Sequence, residues 1–171
     1  MRIGIAAVAV LACATPVAAQ HDHGSGMVPG WHGRVDRSDQ RVEDVRFMAM
    51  GSTFHVITGP HAILWKPENT ATGQFTATAT FRQSKTPDHP EGYGLIVGGR
   101  DLDGPAQDYL YFLIRHDGQW MVRHRAGSEV HTLSNWTPSD AIRKPSADAE
   151  ASNTLAIESG AFFDGRSVRA A

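Results

Sequence analysis

Arg115, Trp120, Arg123, Arg125 and Trp136 gather in the second half of the chain, with Trp65 further upstream. Indole faces stack on the apolar C–H faces of sugar rings, and guanidinium groups fix hydroxyls by hydrogen bonds; small-ligand sites combine apolar walls with a few polar groups in this way. These residue types point to carbohydrate, with Trp65, Trp120 and Trp136 as stacking candidates and Arg115, Arg123 and Arg125 as their polar partners. A Trp in a strand of a β-sandwich more often serves the core, so the surroundings of each indole decide its role. Arg123 and Arg125 share one face of an extended segment and cannot both be buried without acids opposite them. That face is expected to be the wet one.

Other chemistries have thinner support. Asp101-Leu102-Asp103-Gly104, with Asp108 further on, gathers carboxylates of the kind hard cations prefer, so Ca²⁺ at Asp101, Asp103 and Asp108 is one reading. A solvated turn is the other, because the full ligand loop and its closing Glu are missing; no cofactor is otherwise implied. His21-Asp22-His23 would bind Cu²⁺ or Zn²⁺ only with further ligands. His55, His61, His116, His124 and His131 lie in or beside expected strands, and without Cys partners or a His-x-x-x-His pair each reads as a packed or rim residue. A paired-carboxylate glycosidase needs two acids flanking the bond. Here Glu43 and Asp44 are adjacent and point to opposite faces of any strand, while Glu129 and Glu158 are isolated. No Gly-x-Ser-x-Gly elbow is present, and Gly98-Gly99 is not followed by a helix.

The elements that must position these groups read as strands. Phe75, Ala77, Ala79 and Phe81 alternate with Thr76, Thr78, Thr80 and Arg82, the pattern of a strand with one face in a core and one in solvent. Tyr109 to Ile114 is apolar on both faces and predicts a central strand covered on both sides. Asp117-Gly118 then predicts a type I′ hairpin turn, both of whose central residues need positive φ. The returning strand, Gln119 to Arg125, sets Trp120, Val122 and His124 on one face and Met121, Arg123 and Arg125 on the other. Further short strands are expected at Thr53 to Thr58, Ala62 to Trp65, Tyr93 to Val97, Val130 to Leu133 and Thr154 to Glu158, separated by Gly and Pro breaks. The best helical stretch, Pro138 to Lys144, is a turn or two. The fold class is all-β, an antiparallel two-sheet sandwich. Any sugar is expected across a concave sheet built from Tyr93 to Val97, Tyr109 to Ile114 and Trp120 to Arg125.

The ends of the chain carry addresses more than structure. Met1-Arg2, the apolar Ile3 to Ala12 and the small residues Ala14 to Ala19 form the three parts of a secretory signal, with cleavage expected after Ala19. A rival reading acylates Cys13 as a lipoprotein anchor. Either way the expected location is periplasmic or secreted. Cys13 is the only cysteine of the 171 residues, so cleavage leaves a domain without disulfides or thiolate metal sites, held by its core alone. A polar arm is expected from Gln20 to Gly30 and a single sandwich domain from Trp31 to Ala171. With 16 Lys+Arg against 18 Asp+Glu, the chain lacks the basic excess of a nucleic-acid binder. Its longest apolar run is far shorter than the roughly 20 residues of a transmembrane helix. Oligomeric state is not set by these features.

Gly59-Pro60-His61-Ala62-Ile63-Leu64-Trp65, Gly73-Gln74-Phe75, Tyr93-Gly94-Leu95-Ile96-Val97-Gly98-Gly99, Tyr109-Leu110-Tyr111-Phe112 with Asp117-Gly118, and Trp136 follow one another in an order that resembles bacterial exported domains of the 3-keto-disaccharide hydrolase type. The similarity covers roughly Phe47 to Val168. It implies a concanavalin A-like, laminin-G-like jelly roll. It also implies an alternative activity, cleavage of a 3-keto-glycoside by proton abstraction and elimination. That chemistry needs one base and an oxyanion stabiliser, for which His61, His124 and Arg115 are the candidates. A structural, partner-binding domain of the cell envelope is the third reading. Ala161 to Val168 looks like the hairpin that follows Asn153 to Glu158, and the family usually continues for a further strand or two, so a truncated or frameshifted C-terminus is one reading and an intact one the other.

Overall fold

The computed structural model describes residues 27–57, 59–84, 86–146 and 148–160. The expected signal segment, Cys13, His21 and His23 lie outside the described residues, as does the expected hairpin from Ala161 to Val168. Of the expected polar arm, residues 27–30 are described; they begin a turn closed by the Trp31 N–H on the Val28 carbonyl.

Ten strands follow in order: β1 (His32–Val35), β2 (Arg46–Met50), β3 (Thr53–Ile57), β4 (Ala62–Trp65), β5 (Phe75–Gln83), β6 (Gly92–Arg100), β7 (Asp108–Arg115), β8 (Gln119–Ala126), β9 (Glu129–Pro138) and β10 (Ala151–Ser159). One 3-10 turn, Val42–Asp44, precedes β2, and there is no α-helix among the described residues. All strand pairs are antiparallel: β6-β7-β8-β9 form a four-stranded sheet, and β10-β5, β1-β4 and β2-β3 form pairs. The protein is an all-β sandwich.

The alternation expected in Phe75 to Arg82 is the alternation observed, because Thr76, Thr78, Thr80 and Arg82 are exposed and their neighbours are half-buried. The partner strand β10 buries Ala151, Asn153, Leu155 and Ile157. Leu155 and Ile157 pack on Phe112 and Ile114 of β7 and Val122 of β8, with Phe81, Tyr93, Leu95, Val97, Trp120 and Ile142 closing around them. This interlayer holds the two sheets face to face, since removing such side chains from water is worth about 1.5–3 kcal/mol each.

Asn153 joins the layers by polar contacts inside that apolar zone. Its Oδ1 accepts from the Arg143 N–H at 2.8 Å, and its Nδ2 donates to the Arg143 carbonyl at 3.0 Å and to the Tyr93 hydroxyl at 3.4 Å. Burial raises the Tyr93 phenol above its ordinary pKa, against the opposing effect of the Asn153 amide. A second aromatic cluster ties the N-terminal hairpin: Trp31 meets Phe47 and Phe54 edge-on, each at 5.1 Å.

One local expectation needs correction. The hairpin after β7 is present, but its loop has three residues, His116-Asp117-Gly118, closed by the Gly118 N–H on the Arg115 carbonyl at 3.0 Å. Only Gly118 has positive φ, at 85°. The turn is therefore of the type I plus bulge kind, in which a single left-handed residue restores the twist, not type I′. Pro138 to Lys144 forms no helix; Pro138 ends β9 and an isolated turn from Ser139 to Ile142 follows.

Candidate functional site

The three-residue loop sets the register of β7 against β8, and the register decides which side chains share a face. Arg125 pairs with Tyr109, Arg123 with Tyr111 and Met121 with Leu113. All of these point away from β5 and β10. On the β6 side the same rows continue to Ile96 beside Tyr111, Gly94 beside Leu113 and Gly92 beside Arg115. On the β9 side they continue to Thr132 beside Arg123 and Val130 beside Arg125, and the pairing of Trp120 with Thr137 puts Trp136 next to Met121. The outward face of the four-stranded sheet is thus built of tyrosines, arginines, one indole and a few aliphatic groups.

At one end of this face, Arg115 is only 15% exposed and is held from two sides. Its Nε donates to Asp117 Oδ1 at 3.1 Å and its Nη2 to Asp117 Oδ2 at 2.6 Å, while the Gln119 amide donates to the same Oδ2 at 2.9 Å. The guanidinium carbon lies 4.2 Å from the Trp136 ring centroid, a cation–π contact. Partial burial works to raise the Asp117 carboxyl, but the bonds and charge of Arg115, helped by Gln119 and His116, outweigh it and leave the group below its usual 3.8. Trp136 reaches across β8 and β7 because Gly92 leaves it room. A Cβ at 92 would stand 3.2 Å from the indole Cη2 and 3.1 Å from Leu113 Cδ1.

At the other end, Arg125 is also 15% exposed and donates from Nη2 to Asp36 Oδ1 at 3.1 Å. Tyr109 is buried beside it, its ring 5.7 Å from that of Tyr111. Burial pushes the Tyr109 phenol up, the Arg125 guanidinium opposes this, and Asp36 adds to it. The Nε atoms of Arg123 and Arg125 are both buried without a hydrogen-bond partner. The wet basic face expected for these arginines is half-buried, with Asp36 neutralising Arg125 as Asp117 neutralises Arg115.

The remaining candidates fall elsewhere. Trp120 lies on the inward face, tilted against Phe112 at 6.2 Å, so it shares no hollow with Arg123 or Arg125. Trp65, on β4, pairs its ring with His32 at 5.6 Å. His124 is also on the inward side, 3.1 Å from Asp108 Oδ1 and with its ring 5.8 Å from that of His131. His61 is exposed, 3.7 Å from Glu91. His124 pairs opposite Leu110, five residues along β7 from Arg115 and on the other face of the sheet. The base and oxyanion stabiliser of an elimination are therefore not brought together in this pair.

The loop carboxylates do not converge either. Asp101, at φ 47°, accepts the Ala106 N–H on Oδ2 at 2.9 Å, and its backbone carbonyl accepts the Gly104 N–H at 2.9 Å, so it shapes the loop. Its left-handed conformation is one that Asp tolerates better than most residues. Asp108 is engaged with His124. No group of three or more His, Cys, Asp or Glu side chains is placed to hold a metal ion among the described residues, and none of their helices is long and apolar enough to cross a membrane.

Sequence reasoning missed Tyr109, Tyr111, Asp117, Gln119 and Asp36. The first two follow only from the three-residue loop, whose register sets Tyr111 beside Arg123 and Tyr109 beside Arg125. No protein-family model, curated protein or solved structure matches the chain.

Proposed function

We propose that the chain is an exported carbohydrate-associated module that holds a saccharide on the outward face of β6 to β9. The observation that carries this reading is the single surface shared by Trp136, Tyr111, Arg115 and Arg123, with flat rings and fork-shaped donors on adjacent strands. Rings of this kind supply stacking area at small entropic cost, and fixed guanidinium groups orient hydroxyls. Rigid strands carry all four residues, which favours a preformed site over one assembled on binding.

Trp136 is the central stacking residue in this proposal, and Arg115 fixes the angle of its ring. Trp120 belongs to the interlayer and supports the sheet from behind. Titration with a panel of neutral and acidic oligosaccharides is expected to change tryptophan fluorescence without releasing product. Trp136→Ala is expected to weaken binding about tenfold, the worth of one good aromatic contact. Unchanged affinity in that variant, or a silent panel with the unmodified protein, would overturn the reading.

A further inference from the structure

The outward face carries three guanidinium groups and only two carboxylates to meet them. Asp117 is committed to Arg115 through two bonds, and Asp36 to Arg125 through one. Arg123 stands between them on β8. Its neighbours across the ladder, Tyr111 and Thr132, are neutral, and it makes no ion pair among the described residues. Its Nε is buried and unpartnered. A guanidinium stays charged, so an anion that reaches the remaining donors of Arg123 gains a charge-assisted hydrogen bond that no carboxylate of the face supplies. The chain as a whole is slightly acidic, at a formal net charge of -2, so this local excess of positive charge is not a by-product of composition.

Resting on the saccharide reading above, we infer that the ligand is an anionic saccharide whose acidic group docks on Arg123 while a ring packs on Tyr111. The planar fork of a guanidinium matches the two oxygens of a uronate carboxylate and those of a sulfate ester equally well. Arg115 and Arg125, already neutralised at either end, restrict the uncompensated charge to the middle of the face. A ligand aligned along β7 and β8 therefore presents its anion at one position, not at each sugar unit.

Calorimetric titration of the full chain at low salt, with trigalacturonate, its fully methyl-esterified form and a sulfated trisaccharide, tests this. Trigalacturonate or the sulfated sugar is expected to bind at least about tenfold more tightly than the methyl ester, which is what one charge-assisted contact supplies. The better of the two identifies the anion. Added salt should erode the advantage. Arg123→Gln should remove the preference, so that acid and methyl ester bind that variant equally, and Arg123→Lys, which keeps the charge but loses the fork, should retain part of it. Equal affinity for ester and acid, or a preference that survives Arg123→Gln, overturns the inference and leaves the saccharide reading standing. No binding of any of the three sugars overturns both. Should Arg123→Gln melt well below the unmodified protein, partial or complete loss of the preference in Arg123→Lys decides for the inference and its full retention decides against it.

Discussion

Phe112 and Tyr111 are neighbours on one strand, yet they belong to different worlds. Phe112 is 4% exposed and closes the interlayer with Leu155 and Ile157, whereas Tyr111 faces away beside Arg123. The same division runs through β8, where Trp120 and Val122 face inward and Met121, Arg123 and Arg125 face outward. The inward face is filled by apolar contacts and bonds the Asn153 amide on both sides, although Gln83 Oε1 on β5 is left without a partner. The outward face leaves donor groups of Arg123 and Arg125 without partners. One face is dominated by apolar packing, and the other sets tyrosines and arginines side by side around a smaller buried set, Tyr109 and Met121.

Substitutions on the two faces should separate accordingly. Phe112→Ala is expected to lower unfolding free energy by about 3–5 kcal/mol in urea titration, the cost of a large core truncation. Tyr111→Ala should cost far less and weaken sugar binding instead; equal destabilisation of the two would break the contrast. Asn153→Ala removes a bonded group from the interlayer and leaves polar atoms of Arg143 and Tyr93 without it, for an expected loss of about 1–3 kcal/mol by thermal denaturation. Gly118→Ala forces a left-handed alanine into the turn that sets the register, at an expected cost of about 1–2 kcal/mol. Nuclear magnetic resonance of that variant should keep the Arg123 to Tyr111 pairing, and its loss would show that the loop alone holds the faces in place.

The smallest effect is electrostatic. The Asp117 carboxyl is held below its ordinary value in the folded protein, so its contribution is present above about pH 4 and is lost as pH falls through the lower folded value. Because the side chain is 32% exposed, Asp117→Asn should cost at most about 1 kcal/mol at neutral pH. The difference from the unmodified protein should vanish in acid. A difference that grows on acidification would contradict the assignment.

Much of the fold was legible because period-two patterns survive any tertiary arrangement. Phe75 to Arg82, Tyr109 to Ile114 and Gln119 to Arg125 are strands, and the alternation within each names its core side. β1 and β2 were not legible: His32–Val35 is short and carries Gly33 and Arg34, and Arg46–Met50 shows no clean alternation. The candidate site was harder to read for a more specific reason. A two-residue turn at Asp117-Gly118 would pair Arg123 with Phe112, one step out of the true register, and a one-step slip exchanges the faces. The tyrosines beside the arginines stayed hidden behind that single turn. Asp36 and Gly92 depend on contacts between segments distant in the chain, for which no local pattern exists.

Gly92 has a consequence for the side chains of the outward face. The indole of Trp136 lies close over the hydrogen atom that stands where other residues carry a methyl group. Alanine at 92 would stand 3.1 Å from Leu113 Cδ1 and 3.2 Å from the indole Cη2, so those side chains would have to give by a few tenths of an ångström. A single carbon placed on β6 would thus reposition side chains of β7 and β9 without replacing either of them.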